Sequence, residues 1–89
     1  MTKSELVETV ANETRQPRKL VAEVIENTFE QIAYAILSEK RFYMPGFGTF
    51  SIRRRLARTG YNPRTSRHMI IPEAQTIGFR PAPELKKHL

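Results

Sequence analysis

Cysteine and aspartate are absent from the 89 residues. Without cysteine there can be no disulfide and no thiolate zinc site. Two histidines, His68 and His88, are too few to hold a metal alone; no metal or other cofactor is expected. No apolar run approaches the roughly 20 residues of a membrane-spanning helix. The opening Met1-Thr2-Lys3-Ser4-Glu5 leads into no apolar signal core. A cytoplasmic protein with no membrane partner is expected. Catalysis is not: general acid–base chemistry wants a positioned histidine or carboxylate in a cleft, and both histidines fall at positions expected to be exposed. Hydrophobic residues are also scarce, at 39%. A chain this short buries only about 60% of the surface its unfolded form exposes. With disulfides and metals excluded, a partner subunit is the remaining source of support.

The charge is plentiful and uneven. Fifteen Lys and Arg against nine Glu give +6. Residues 1–40 hold five basic and seven acidic side chains, net −2, and residues 41–89 hold ten and two, net +8. Six arginines and no acid lie between Arg53 and Arg67. A solvated face has no reason to exclude acids over such a stretch, so a polyanionic partner is implied.

The first half reads as two helices. Thr2 and Glu5 have capping-box spacing, and Leu6, Val7, Val10 and Ala11 recur at helical steps up to about Asn12–Thr14. Pro17 suits the first turn of a second helix, from about Arg18 to Ser38. Its apolar residues fall at Leu20/Val21, Val24/Ile25, Phe29, Ile32/Ala33 and Ile36/Leu37. Steps of four advance about 400°, so this stripe drifts about 40° per step and wraps nearly halfway round the helix. A helix that broad is expected to serve its own domain and a second subunit. Val24, Phe29, Ile32 and Ile36 are therefore candidates for a dimer core.

The second half changes character. Arg41 to Met44 reads as a short strand stopped by Pro45, and Gly46-Phe47-Gly48 as a tight turn. From Thr49 to Arg58 the residues alternate, with Phe50 and Ile52 opposite Thr49, Ser51, Arg53 and Arg55. Thr59 to Ser66 reads as turn-rich, Arg67 to Gln75 as a return strand broken by Pro72, and Thr76 to Arg80 as a further short strand. The prolines of Pro81-Ala82-Pro83-Glu84 mark the entry to a terminal helix over Leu85–Leu89. The expected class is α+β: a helical hairpin base, a three-stranded antiparallel sheet, an extended β-ribbon arm and a short C-terminal helix. One domain over 1–89 is expected, with a helical part at about 1–40, sheet and arm at about 41–80, and the last helix at about 82–89.

The arm has a physical use. A two-stranded ribbon fits a DNA groove, and each arginine against a phosphate releases condensed counterion. Arg53 and Arg55 face one way and Arg54 the other, while Arg58, Arg64 and Arg67 carry charge to the tip. Pro63 is an uncharged rigid ring that could wedge between base steps, and Asn62 beside it could reach base edges; the same Asn-Pro pair also suits an ordinary hairpin turn.

The run Gly46-Phe47-Gly48-Thr49-Phe50, then Arg55, Arg58-Thr59-Gly60, Asn62-Pro63 and Thr65, later Ile71-Pro72 and Phe79-Arg80-Pro81, resembles the bacterial HU/IHF family of DNA-bending proteins. The resemblance covers nearly the whole chain. It implies an intertwined dimer with two arms that wrap DNA in the bacterial nucleoid. It implies that Arg55, Arg58 and Arg67 hold the backbone, that Pro63 intercalates, and that Phe47, Phe50 and Phe79 close the dimer core. Lys3 and Lys86 match basic positions on the flanks, and Tyr61, Arg64, Arg53 and Arg80 complete the expected DNA-binding set. The sequence departs from the family pattern at Tyr61, where arginine is frequent, at Ser66, where a turn glycine is common, at Ile70, where many members have lysine, and at Pro83, where a flank lysine is frequent. Arg53, Arg54 and Arg64 add charge nearer the base and tip.

The expected function is thus non-enzymatic: a homodimer that binds double-stranded DNA with weak sequence preference, bending and compacting it. Alternatives are an IHF-type subunit that prefers particular sites, commonly in a heterodimer with a related subunit, and an RNA-binding protein in which Tyr61 stacks on unpaired bases.

Overall fold

The computed structural model describes all residues from Met1 to Leu89. Helix α1 spans Lys3–Thr14. Thr2 caps it: the Thr2 hydroxyl accepts from the Glu5 N–H at 3.2 Å. Arg15 ends it in the left-handed region with φ 55°, its N–H donating to the Ala11 carbonyl. Helix α2 spans Arg18–Glu39, and its hydrogen bonding begins at the Pro17 carbonyl, which accepts from the Val21 N–H at 3.0 Å. Lys40, with φ 68°, turns the chain out of α2.

Five strands follow: β1 Arg41–Met44, β2 Gly48–Arg55, β3 Arg58–Asn62, β4 Arg67–Ile71 and β5 Ala74–Pro81. Strands β1, β2 and β5 form one antiparallel sheet in the order β1-β2-β5, and β3 and β4 form a separate two-stranded ladder. A one-turn helix α3, Pro83–Lys86, closes the chain. The class is the expected α+β, with several boundaries moved. The strand read from Thr49 to Arg58 is interrupted at Leu56-Ala57, and Thr59 to Asn62 is strand, not turn. The return strand ends at Ile71, and Ala74-Gln75 belongs to β5, which starts before Thr76. The last helix lies at Pro83–Lys86 instead of Leu85–Leu89, because Pro83 stands inside its first turn.

The chain divides into two compact units, Met1–Ala35 and Ile36–Leu89. In the first, Val7, Ala11 and Val21 form a small buried cluster flanked by Val10, Ala22 and Ile25. Lys3 Nζ donates to Glu26 Oε1 at 2.5 Å, and Arg18 Nη2 to Ser4 Oγ at 2.9 Å, both joining α1 to α2. In the second, register places Phe42, Phe50 and Phe79 in one row across the sheet, with Ile52 opposite Ile77. These residues share one face. The rings of Phe47 and Phe50 lie 5.4 and 4.7 Å from that of Phe79.

Gly48 makes this packing possible. A Cβ there would stand 2.5 Å from the Arg80 carbonyl oxygen and 2.6 Å from the Phe79 ring. The preceding turn needs glycine for another reason: Gly46 has φ 79°, and the Phe47 N–H returns to the Met44 carbonyl at 3.1 Å.

Candidate nucleic-acid interface

The arm is the β3–β4 ladder, paired from Arg58↔Ile71 to Asn62↔Arg67. At its tip Asn62 Oδ1 accepts from the Arg64 N–H at 2.9 Å. This Asx-turn commits the side-chain oxygen to shaping the turn, so of the two roles open to Asn62 the structure fills the structural one and leaves its NH₂ free. Pro63 is exposed immediately after it. Ser66 takes φ 54°, a left-handed conformation that explains why glycine suits this position.

Alternation divides the arm into two faces. Arg58, Gly60, Asn62, Arg67, Met69 and Ile71 share one; Thr59, Tyr61, His68 and Ile70 share the other. Ile71 lies over Gly60, where a Cβ would come within 2.8 Å of Ile71 Cδ1, and Met69 closes over the same glycine. The apolar stretch Met69–Ile71 is therefore split: Met69 and Ile71 cover Gly60, while Ile70 is 78% exposed on the opposite face. The Tyr61 and His68 rings pair across the strands with centroids 5.6 Å apart.

The arginines have different standing. Arg55, Arg58, Arg64 and Arg67 are exposed and engage no carboxylate. Arg53 lies across Gly78, where an added Cβ would overlap its guanidinium. Arg54 is not a free charge: it donates from Nε and Nη2 to the two carboxylate oxygens of Glu73 at 2.6 and 2.8 Å. The extra charge expected of it near the arm base is neutralised. Lys3, in the first unit, is likewise paired, with Glu26. Lys86 ends α3 and is exposed.

The sheet register adds one residue that the sequence reading missed. Arg41 stands opposite Ser51, so it shares a face with Arg53, Arg55 and Arg80. Its guanidinium lies 5.9 Å from the centre of the Tyr43 ring. The signal was present in the period-two pattern of Arg41-Phe42-Tyr43-Met44, which puts Phe42 and Arg41 on opposite faces.

The expected core residues are only partly covered within one chain. Ile36 is buried and Ile32 half-buried, while Val24 and Phe29 are exposed, Phe29 at 58%. Phe50 is half-buried and Phe47 is 47% exposed. Phe29 lines an apolar groove of about 540 Å³ with Met1, Leu6 and Ile25. No helix is long and apolar enough to cross a membrane.

A helical hairpin followed by a small sheet and a basic two-stranded arm defines a class of DNA-binding proteins, and comparison with known proteins places the chain in it. Residues 1–89 match the family described as bacterial DNA-binding protein, and the chain belongs to that family. It is 40% identical over 86 residues to the SPbeta prophage-derived DNA-binding protein HU 2 of Bacillus subtilis, covering 97% of this chain and 94% of that one. It is 35% identical to the integration host factor subunit beta of Halorhodospira halophila, covering all of this chain and 88% of that one. Among solved structures, an Anabaena HU–DNA cocrystal structure superposes with a TM-score of 0.84 at 33% identity, covering 99% of this chain and 96% of its own.

Proposed function

We propose that the chain binds duplex DNA as a homodimer, bends it between two arginine-lined arms, and contributes to compaction of the bacterial nucleoid. It is a binding protein and not an enzyme. The observation that carries the proposal is the arm: a ladder separate from the body sheet, with unpaired arginines along it and Pro63 at its tip. Arg55, Arg58, Arg64 and Arg67 supply phosphate contacts, whose counterion release is independent of sequence. The sheet face of Arg41, Arg53, Arg55 and Arg80 extends the same field below the arm. Pro63 is the wedge that unstacks a base step, so preference follows DNA deformability. Lys3 and Lys86 receive DNA at the flanks once it bends, Lys3 by giving up Glu26.

The homodimer accounts for the surfaces one chain leaves bare. Exposed Val24 and Phe29 on α2, the groove beside Phe29, and the Phe47–Phe79–Phe50 cluster need an apolar cover. Burying one such ring fully contributes about 1.5–3 kcal/mol.

The test is a short duplex with a fluorophore at each end, intact or nicked, titrated with protein at two salt concentrations. Salt-sensitive binding that draws the ends together is the expected result. Binding that leaves the duplex straight would remove the bending mechanism. Competition with random-sequence DNA and with single-stranded RNA measures the preference.

A further inference from the structure

Between the body sheet and the arm lies a joint. The last body pair is Arg55↔Ala74 and the first arm pair is Arg58↔Ile71. Leu56-Ala57 on one strand and Pro72-Glu73 on the other are left out of both ladders. Pro72 has no N–H to give to a ladder. The chain therefore crosses from body to arm twice, each time through two residues without strand pairing. Nothing in the backbone pairing fixes the angle between the two ladders.

One side-chain contact reaches into this gap from the body. Arg54 belongs to the body ladder, opposite Gln75. Glu73 belongs to the joint. Their contact is bidentate, Nε to Oε1 at 2.6 Å and Nη2 to Oε2 at 2.8 Å. The planar fork fixes direction as well as distance, which a single-point lysine pair would not. Glu73 is also the only carboxylate between Glu39 and Glu84. A chain segment that otherwise holds no acid places its one acid against the arginine next to the joint.

The face matters as much as the contact. Arg53 and Arg55 lie on the sheet face of Arg41 and Arg80, whereas Arg54 shares the face of Ile52 and Phe50. Arg54 is thus turned away from the arginine face offered to phosphate.

We propose that Arg54 and Glu73 form a brace that sets the arm's angle to the body, and that neither is a DNA ligand. They are positioning residues, and the inference deepens the DNA-bending reading above. Both side chains are largely accessible, 61% and 43% exposed. The brace is accordingly weak enough for salt to loosen. Raising the salt should mobilise the arm of the free protein before any DNA is present.

The test compares wild type with Arg54→Gln, Glu73→Gln and the charge swap Arg54→Glu/Glu73→Arg, all as full chains. The first readout is backbone ¹⁵N relaxation of residues 58–71 in free protein, which needs no DNA. Order parameters of the arm should fall in both single variants and recover in the swap. Wild type at high salt should approach the single variants, which should themselves change little with salt. The second readout is the end-labelled duplex. The single variants should keep the wild-type salt slope and lose end-to-end energy transfer, and the swap should regain it. Three results overturn the brace: a swap that behaves like the single variants, arms equally ordered in all four proteins, or an Arg54→Gln slope shallower by about 0.9 per arm, which marks a phosphate contact. Wild-type protein that leaves DNA straight would instead overturn the bending reading, and the relaxation result would still decide the brace.

Discussion

Arg58 isolates the electrostatic part of binding. It opens β3 opposite Ile71, is exposed, and engages no carboxylate. Its truncation to alanine removes no intramolecular partner, so folding stability should move by less than about 0.5 kcal/mol. Its effect on DNA binding follows from counterion release. One phosphate contact contributes about 0.9 to the slope of log K against log salt. Between about 50 and 200 mM salt, a fourfold change, one contact changes affinity by a factor of about 3.5, or about 0.7 kcal/mol. The advantage of wild type over Arg58→Ala should therefore shrink by about 3.5-fold across that range, and by about 12-fold if both arms of a dimer lose the contact. Fluorescence anisotropy of a labelled duplex, titrated across the salt range with two unrelated sequences, measures this directly. Parallel plots for the two proteins would refute the reasoning even if Arg58→Ala bound more weakly. A loss confined to one sequence would refute it too, because phosphate contacts carry no base information.

Four further outcomes are expected. Pro63→Ala should reduce energy transfer between the duplex ends more than it reduces affinity; unchanged transfer would count against the wedge. Gly48→Ala should destabilise the fold by about 1–3 kcal/mol in urea denaturation, because the new methyl meets the Arg80 backbone. Gly78→Ala should cost less than about 1 kcal/mol, because the new methyl meets only the movable end of Arg53. A cost as large as that of Gly48→Ala would contradict the contact geometry. Phe29→Glu places a charge on an exposed residue of the single chain; sedimentation should nevertheless show loss of the dimer, and an unchanged profile would remove Phe29 from the interface.

The helices were legible because their signals are local. Thr2 and Pro17 mark the starts, and the stripe from Leu20 to Leu37 gives the length of α2 within a residue or two. The start of the arm was not. Thr59-Gly60 has turn composition, and what makes it strand is the cover that Met69 and Ile71 provide from β4. Such cover comes from a partner strand and leaves no trace in a local window. The same holds for Arg54: its six-arginine neighbourhood reads as free charge, and its acid partner is 19 residues away. Arg41 was legible and overlooked, because a four-residue strand gives only two turns of the alternation.

The strictness of that alternation explains why a chain with so little core can carry so much charge. Along β2 the odd residues Thr49, Ser51, Arg53 and Arg55 face away from Phe50 and Ile52. Arginine can therefore be added on one side without entering the apolar side. The rule fails only where three arginines follow one another, since Arg54 must fall on the face of Phe50 and Ile52. Glu73 pairs with it there, at the sheet's end, with both side chains still open to solvent. The excess positive charge of the second half is thus delivered mainly to one sheet face and to the arm, the surfaces a polyanion would meet, and the exception is neutralised where it arises.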